Sequence, residues 1–299
     1  MRRLRRTFLA FALLALALGM AACGTEERRI VDRALAHPVH DADVALRMAF
    51  TAAGTDLLRL SVTGPFHDNG PAALPSFDFR VRFAYTLAGT TQRVAMRVIS
   101  TGRNVMVRHD GETYQVGEDR IATLLERDRA HRRDTARPES LADLERLGVD
   151  LDAWFPDAHV VGDERLRGED VTHLAGRLDL SAALDNLAVI LEGNTLRAER
   201  FAITPEVIGR IDGLLGDPQL DLFVAKADGS VRRIAGSVAV TVPGIPFLAG
   251  SRLSGTLDLS NVGERNTIRA RSAGRPIEDL VRALGLELGI AADPSVPAA

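Results

Sequence analysis

The chain has 299 residues and a formal net charge of −3, from 40 acidic and 37 basic side chains. This acidic balance argues against a nucleic-acid-binding protein, which needs a basic face. A single cysteine excludes an intrachain disulfide and a metal site built on several thiolates. The apolar surface is mostly aliphatic, because aromatic residues make up only 5% of the chain.

Residues 1–22 have the organisation of an export signal. Four arginines between positions 2 and 6 precede the apolar run Phe8–Leu18, which is too short to span a bilayer. Met20-Ala21-Ala22-Cys23 then resembles the lipobox of bacterial lipoproteins. That resemblance implies cleavage before Cys23, coupling of its thiol to acyl chains such as palmitate, and a net charge of about −7 for the mature chain.

Two questions about this segment stay open. The signal is either that of a lipoprotein or an ordinary secretory signal followed by an unmodified cysteine. The stretch Arg5–Leu9 also resembles the twin-arginine export motif, so the sequence does not decide between the Sec and the twin-arginine route.

Residues 23–41 are polar and charged, and we interpret them as a lipidated tether between the membrane and the folded body. His37, His40, Asp41 and Asp43 have side chains that bind metals, but a solvated linker lacks the neighbouring groups that orient metal ligands. The segment therefore predicts a tether without a metal site.

Strands dominate the next region. Apolar and polar residues alternate through Leu58–Val62, Val81–Leu87 and Val94–Val98, which is typical of strands with one apolar face. Gly89-Thr90 and Asp110-Gly111 predict hairpin turns, and short turns join antiparallel neighbours.

A helical middle follows. The pattern predicts helices over Ile121–Arg129, from Pro138 to Gly148, over Ala182–Leu191 and over Thr204–Leu215. Strands are predicted again over Leu220–Val224, Val231–Val242, Leu253–Leu259 and Thr267–Arg271, and Pro276 opens a last helix. Residues 42–290 therefore form one domain, and residues 291–299 form a loose tail.

This order predicts an α+β fold, in which a curled antiparallel sheet, or half-barrel, has helices in or over its concave face. Such a sheet makes a groove lined by aliphatic side chains. The candidate lipid-binding residues, taken collectively, are Val81, Phe83, Tyr85, Leu87, Val94, Met96, Val98, Ile208, Ile211 and Leu215. Each of them also fits an ordinary place in the core.

Several short motifs occur in one order: Tyr114-Gln115-Val116, Leu151–Phe155, Val160–Glu164 and Gly168–Gly176. Together with the lipobox and Asp228–Arg233, this series resembles the LppX/LprA/LprF/LprG lipoproteins of mycobacteria, which share a half-barrel fold with the LolA carrier. The resemblance implies a cavity that holds acyl chains of envelope lipids or glycolipids, and it brings no catalytic motif.

Enzyme signatures are absent from the sequence. It contains no G-x-S-x-G elbow, no H-E-x-x-H motif and no P-loop. Asp150 and Asp152 are interpreted as solvated charge, His173 as a hydrogen-bonded strand histidine, and Trp154 as an apolar anchor, with ligand stacking as its alternative. We therefore expect no catalysis, no cofactor and no metal.

The sequence thus predicts a lipoprotein anchored through Cys23 on the outer face of the cell membrane, which binds or shuttles a lipid or glycolipid. An envelope transporter is a possible partner class, and nucleic acid is not. The alternative is a non-catalytic interaction module of the same fold, whose hollow is filled by its own side chains.

Overall fold

The computed structural model describes residues 25–70, 73–87, 89–132, 154, 157–179, 181–183, 214–216, 218–241, 244–245, 248, 250–269 and 273–287. The helices with defined bounds are α1 (Thr25–Ala36), α2 (Glu118–Arg132) and α3 (Ile277–Glu287). The strands are β1 (Asp41–Ala52), β2 (Thr55–His67), β3 (Ser76–Leu87), β4 (Thr90–Thr101), β5 (Val105–His109), β6 (Glu112–Gln115), β7 (His159–Leu166), β8 (Glu169–Arg177), β9 (Gln219–Ala225), β10 (Val231–Val240), β11 (Ser251–Ser260) and β12 (Arg275–Pro276).

All twelve strands form one sheet, in the order β12-β6-β5-β4-β3-β2-β1-β11-β10-β9-β8-β7. Neighbours are antiparallel except β12, which runs parallel to β6. The sheet has two free edges, at β12 and β7, and is therefore curled but not closed. This is the α+β half-barrel that the sequence predicts.

The turn between β5 and β6 is formed by two residues that adopt a left-handed backbone conformation readily. Asp110 and Gly111 join β5 to β6 with φ values of 48° and 80°, and two left-handed residues in succession match the twist of the flanking strands. Asp and Gly are among the residues that adopt this conformation most readily. The β5–β6 hairpin is therefore specified locally.

The sheet has one apolar face, which we call the inner face. It carries Val44 and Leu46 of β1, Phe79 of β3, Leu222 of β9 and Leu257 of β11, all in one buried cluster. Val31 and Ala34 of α1, together with Trp154, belong to the same cluster. The opposite side, or outer face, carries most of the charged side chains of the strands. Successive side chains point to opposite faces, and polar residues alternate with apolar ones along the sequence.

The interpretation of residues 23–41 as a tether is wrong for the part that the structure describes. Thr25–Ala36 is helical, and Val31 and Ala34 are only 1% and 2% exposed. Glu26 and Glu27 lie in the first turn, where the helix dipole favours negative charge. The folded body therefore includes α1 and does not begin at residue 42.

The last predicted strand is also placed wrongly. Residues 267–269 are not in a strand, and β12 follows instead. The reason lies at Asn266, whose amide nitrogen donates to the carbonyl oxygens of Ala42 and Phe66. These bonds hold the segment across the end of the β1–β2 hairpin, so that it does not extend the ladder.

Other predictions on local structure have mixed outcomes. Helices α2 and α3 confirm the helices predicted near Ile121 and after Pro276. The helix predicted from Pro138 to Gly148 lies outside the described residues, as do most of the two helices predicted over Ala182–Leu191 and Thr204–Leu215. Cys23, Asp150, Asp152 and the tail 291–299 lie outside them as well.

Candidate functional site

The predicted lipid-binding residues of β3 and β4 share the inner face. Phe83 lies directly opposite Val94 in the β3–β4 ladder, and Val81 lies opposite Met96. Tyr85 and Val98 follow at two-residue spacing on the same strands, so their side chains point to the same side. The structure therefore brings six of the ten predicted residues together. Leu87 ends β3 opposite Thr90.

Helix α3 covers one flank of this set. Leu280 is buried with Val107 and Tyr114, and both Met96 and Val98 pack against that cluster. Val94 is also buried, at 7% exposure. Met96 and Val98 therefore contribute to internal packing under α3.

The rest of the set is only half-buried. Val81 packs at the margin of the main core, while Phe83 and Tyr85 lie farther along β3, with ring centroids 5.8 Å apart. Exposed polar residues follow on the same face, since Gln92 lies opposite Tyr85. The inner face therefore passes from a packed core to an accessible apolar strip and then to a polar rim.

Strands β1, β2 and β11 extend the apolar strip. Met48 lies opposite Leu60, and Phe50 lies opposite Leu58 on one side and Leu253 on the other. All five are half-buried. Strand β1 is not among the strands predicted from the sequence. The signal for it was present, because Ala42, Val44, Leu46, Met48 and Phe50 alternate regularly with other residues.

Of the candidates predicted on the helix Thr204–Leu215, Leu215 is the one that the described part of the chain contains. Leu215 is half-buried and forms an isolated antiparallel bridge with Val240, so it is not part of the predicted helical stripe. The backbone bond from Gly216 N–H to the Ala239 carbonyl, at 2.8 Å, fixes this arrangement. Ile208 and Ile211 lie outside the described residues.

His173 is a strand histidine on the outer face. Its Nδ1 lies 2.7 Å from Oε1 of Glu164, and its Nε2 lies 2.8 Å from Oδ1 of Asp221. The ring also stacks on Phe223 with centroids 4.3 Å apart. The interpretation as a hydrogen-bonded strand residue is confirmed.

Trp154 is buried to 1% exposure in the main apolar cluster. It therefore acts as the apolar anchor that the sequence predicts. Its indole nitrogen has no hydrogen-bond partner among the residues that the structure describes, although such a buried N–H group usually has one.

The outer face carries the charges of the sheet. Arg97 donates to both carboxylate oxygens of Asp78, at 2.6 and 2.5 Å, and these bonds raise the pKa of Arg97. His67 Nδ1 lies 2.8 Å from Oδ1 of Asp41. Within the described ranges, no three His, Cys, Asp or Glu side chains converge on a common point where a metal ion would fit.

The described helices include none with the length and hydropathy needed to cross a membrane. The accessible apolar strip on the inner face includes Phe83, Tyr85, Phe50, Leu58 and Leu60. Apart from the phenol group of Tyr85, these side chains contain no polar atoms. The chemistry of the strip is that of apolar contact.

No protein-family model and no curated protein matches the chain. Solved structures similar to it include LprF from Mycobacterium bovis, with 14% identity and a TM-score of 0.42 over 83% of this chain and 97% of that one. Lipoprotein LppX from Mycobacterium tuberculosis has 12% identity and a TM-score of 0.37, over 81% and 97%. A LolA superfamily protein from Nitrosomonas europaea has 9% identity and a TM-score of 0.21, over 82% and 96%. The fold assignment of this chain rests on its own twelve-stranded sheet.

Proposed function

We propose that this protein binds the acyl chains of a lipid or glycolipid on the inner face of its half-barrel, and that it holds or carries that lipid in the cell envelope. The observation that carries the proposal is the half-buried apolar strip, which continues from the main core and ends at a polar rim. Acyl chains would cover the strip, while a polar headgroup would stay at the rim.

The energetics favour such a ligand. Burial of apolar surface stabilises a complex by about 25 cal/mol per Å2, and it needs no directional contacts. Ligand sites of this kind are mostly apolar, with a few polar groups that set orientation. Phe83 and Tyr85 supply flat aromatic surface, while Phe50, Leu58 and Leu60 supply the neighbouring wall.

The attachment to the membrane is part of the same proposal. Cys23 would carry the acyl anchor, and α1 begins only two residues later, at Thr25. The body would then be held close to the membrane surface that supplies or receives the lipid. A partner in an envelope transport system remains a prediction.

The test is native mass spectrometry of the chain from residue 23 onward, produced in a host related to its source. We expect an additional mass of a phospholipid or glycolipid that is released on denaturation. A clean mass without lipid, and no uptake of added lipids, would contradict lipid binding and would favour the interaction module with a self-filled hollow.

A matched pair of variants locates the site. Phe83→Gln with Tyr85→Gln places two amides in the accessible strip on the inner face, whereas Ala84→Gln with Ala95→Gln places the same side chains nearby on the outer face. We expect about tenfold lower lipid occupancy for the first pair only. Equal effects of both pairs would contradict a site on the inner face.

A further inference from the structure

Five arginines lie on the outer face of three neighbouring strands, and we call them the arginine face. Arg80 of β3 lies directly opposite Arg97 of β4, and Arg97 lies directly opposite Arg108 of β5. Arg82 and Arg93 flank this row on the same face. Directly opposite side chains in a ladder have Cβ atoms about 5 Å apart, so like charges there repel.

Among the described side chains of β3, β4 and β5, the outer face carries fewer acids than arginines. Asp78 is the one acid at the outer-face positions among the described side chains of β3, β4 and β5, and both of its oxygens accept from Arg97. The side chains of Arg80, Arg82 and Arg108 are exposed and form no hydrogen bond or ion pair with the described part of the chain. Because the whole chain is acidic, this excess is local.

The arginines surround a depression in the surface. Arg80, Arg82, Arg97 and Arg108 line a hollow of about 240 Å3 together with Ala95. Arg80 and Arg97 also line a second hollow of about 360 Å3, whose lining includes Thr63 and the carboxylates of Asp43 and Asp78. On the neighbouring strand β2, Ser61 lies opposite Arg82 and Thr63 lies opposite Arg80, so two hydroxyl groups border the same row.

We infer that this arginine face is a binding site for phosphate groups. A guanidinium donates in a fork that fits phosphate oxygens. The Asp78 carboxylate takes up only Arg97 in this row, and the three or more oxygens of a phosphate can accept from several of the remaining guanidiniums at once. A phosphate in the hollow would also relieve the repulsion along the row.

The phosphate has two possible sources, a phospholipid headgroup or a free phosphate ester. The site is independent of acyl binding on the inner face, because all five arginines point to the opposite side of the sheet. A failure of one proposal therefore leaves the other in place.

The test uses the chain from residue 23 onward and the triple variant Arg80→Gln, Arg82→Gln and Arg108→Gln. The control is Arg103→Gln, Arg265→Gln and Arg269→Gln, which removes the same charge from exposed positions outside the face. Binding is measured to vesicles of phosphatidylglycerol and phosphatidylcholine in equal amounts, to vesicles of phosphatidylcholine alone, to glycerol phosphate and to polyglutamate. Thermal unfolding of both variants is followed in parallel.

We expect the face variant to bind its phosphate probe about tenfold or more weakly, with the control close to the original chain. Its melting temperature should not fall, because the substitutions remove like-charge pairs. Binding to anionic vesicles alone would identify a lipid headgroup, and binding to glycerol phosphate as well would identify a free ester.

Two results would overturn the inference. Equal losses in both triple variants would show a general effect of net charge. Binding that depends on the arginine face but is seen with polyglutamate only would show a carboxylate partner in place of phosphate.

Discussion

Asp258 shows how single residues hold the outer face together. It is 1% exposed, and its carboxylate accepts from Nε of Arg233 at 2.6 Å and from Nη1 of Arg47 at 3.1 Å. Nη2 of Arg167 forms an ion pair with it at 3.3 Å. The three guanidiniums compensate the negative charge of the buried carboxylate. Without that carboxylate, the three positive charges would lie close together with no acid between them.

We therefore expect Asp258→Asn to lower the free energy of unfolding by about 2 kcal/mol. The cost stays moderate because the side chains of Arg47 and Arg167 are 60% and 44% exposed, so water replaces part of the interaction. The measurement is urea denaturation at neutral pH. Arg47→Gln is the control, and it should cost less than about 1 kcal/mol; equal costs would contradict a central role for Asp258.

At the scale of elements, helix α1 is part of the core although its sequence is mostly polar. Ile30, Val31 and Ala34 pack in or against the main apolar cluster. Their spacing places all three on one face of the helix. His37 Nδ1–H donates to the carbonyl oxygen of Arg33 at 2.7 Å, which satisfies a group at the end of the helix. The helix is therefore held by both packing and capping.

Val31→Ala tests this role. The substitution removes two buried methyl groups and leaves a cavity, so we expect a loss of about 2 kcal/mol in the free energy of unfolding. Asp32→Ala changes the next, exposed position and should have an effect within about 0.5 kcal/mol. Chemical denaturation measures both. No effect of Val31→Ala would mean that α1 is a tether after all.

At the scale of the whole molecule, one sheet presents two different surfaces. The two-residue period of strands puts apolar side chains on the inner face and charged ones on the outer face. Lipid binding is proposed for the first surface and phosphate binding for the second. Several carboxylates, among them Asp41 and Asp228, accept hydrogen bonds from cations or backbone N–H groups. The free energy of unfolding therefore depends on pH.

Asp41 and Asp228 illustrate the direction of this dependence. Burial raises the pKa of Asp41, but the backbone N–H of Asn266 and the side chain of His67 together lower it below its usual value. Burial also raises the pKa of Asp228. The N–H of Ser230 and the guanidinium of Arg232 outweigh this effect and lower the pKa below its usual value.

A carboxylate with a lowered pKa stabilises the folded state above its unfolded-state pKa, and this contribution is lost as the pH falls through the folded-state pKa. We therefore expect the free energy of unfolding to fall below about pH 4. Urea titrations at several pH values measure it. The double variant Asp41→Asn and Asp228→Asn should be less stable at pH 7 and less sensitive to acid; an unchanged slope would contradict these assignments.

The sequence by itself determined the features that depend on near neighbours. Alternation predicted most strands, the Asp110-Gly111 pair predicted its hairpin, and Pro276 predicted the start of α3. These predictions gave the fold class and the apolar face shared by β3 and β4, because the two-residue period of a strand fixes the direction of its side chains.

Only the tertiary structure decided the features that join distant residues. The spacing of Ile30, Val31 and Ala34 fits one face of a helix, but it does not identify the distant β-strands whose apolar residues share a cluster with Val31. The alignment of Arg80, Arg97 and Arg108 depends on strand register, and Asp258 meets arginines from positions 47, 167 and 233. Strand register and long-range packing depend on the free energy of the whole sheet. Local sequence patterns do not specify that free energy.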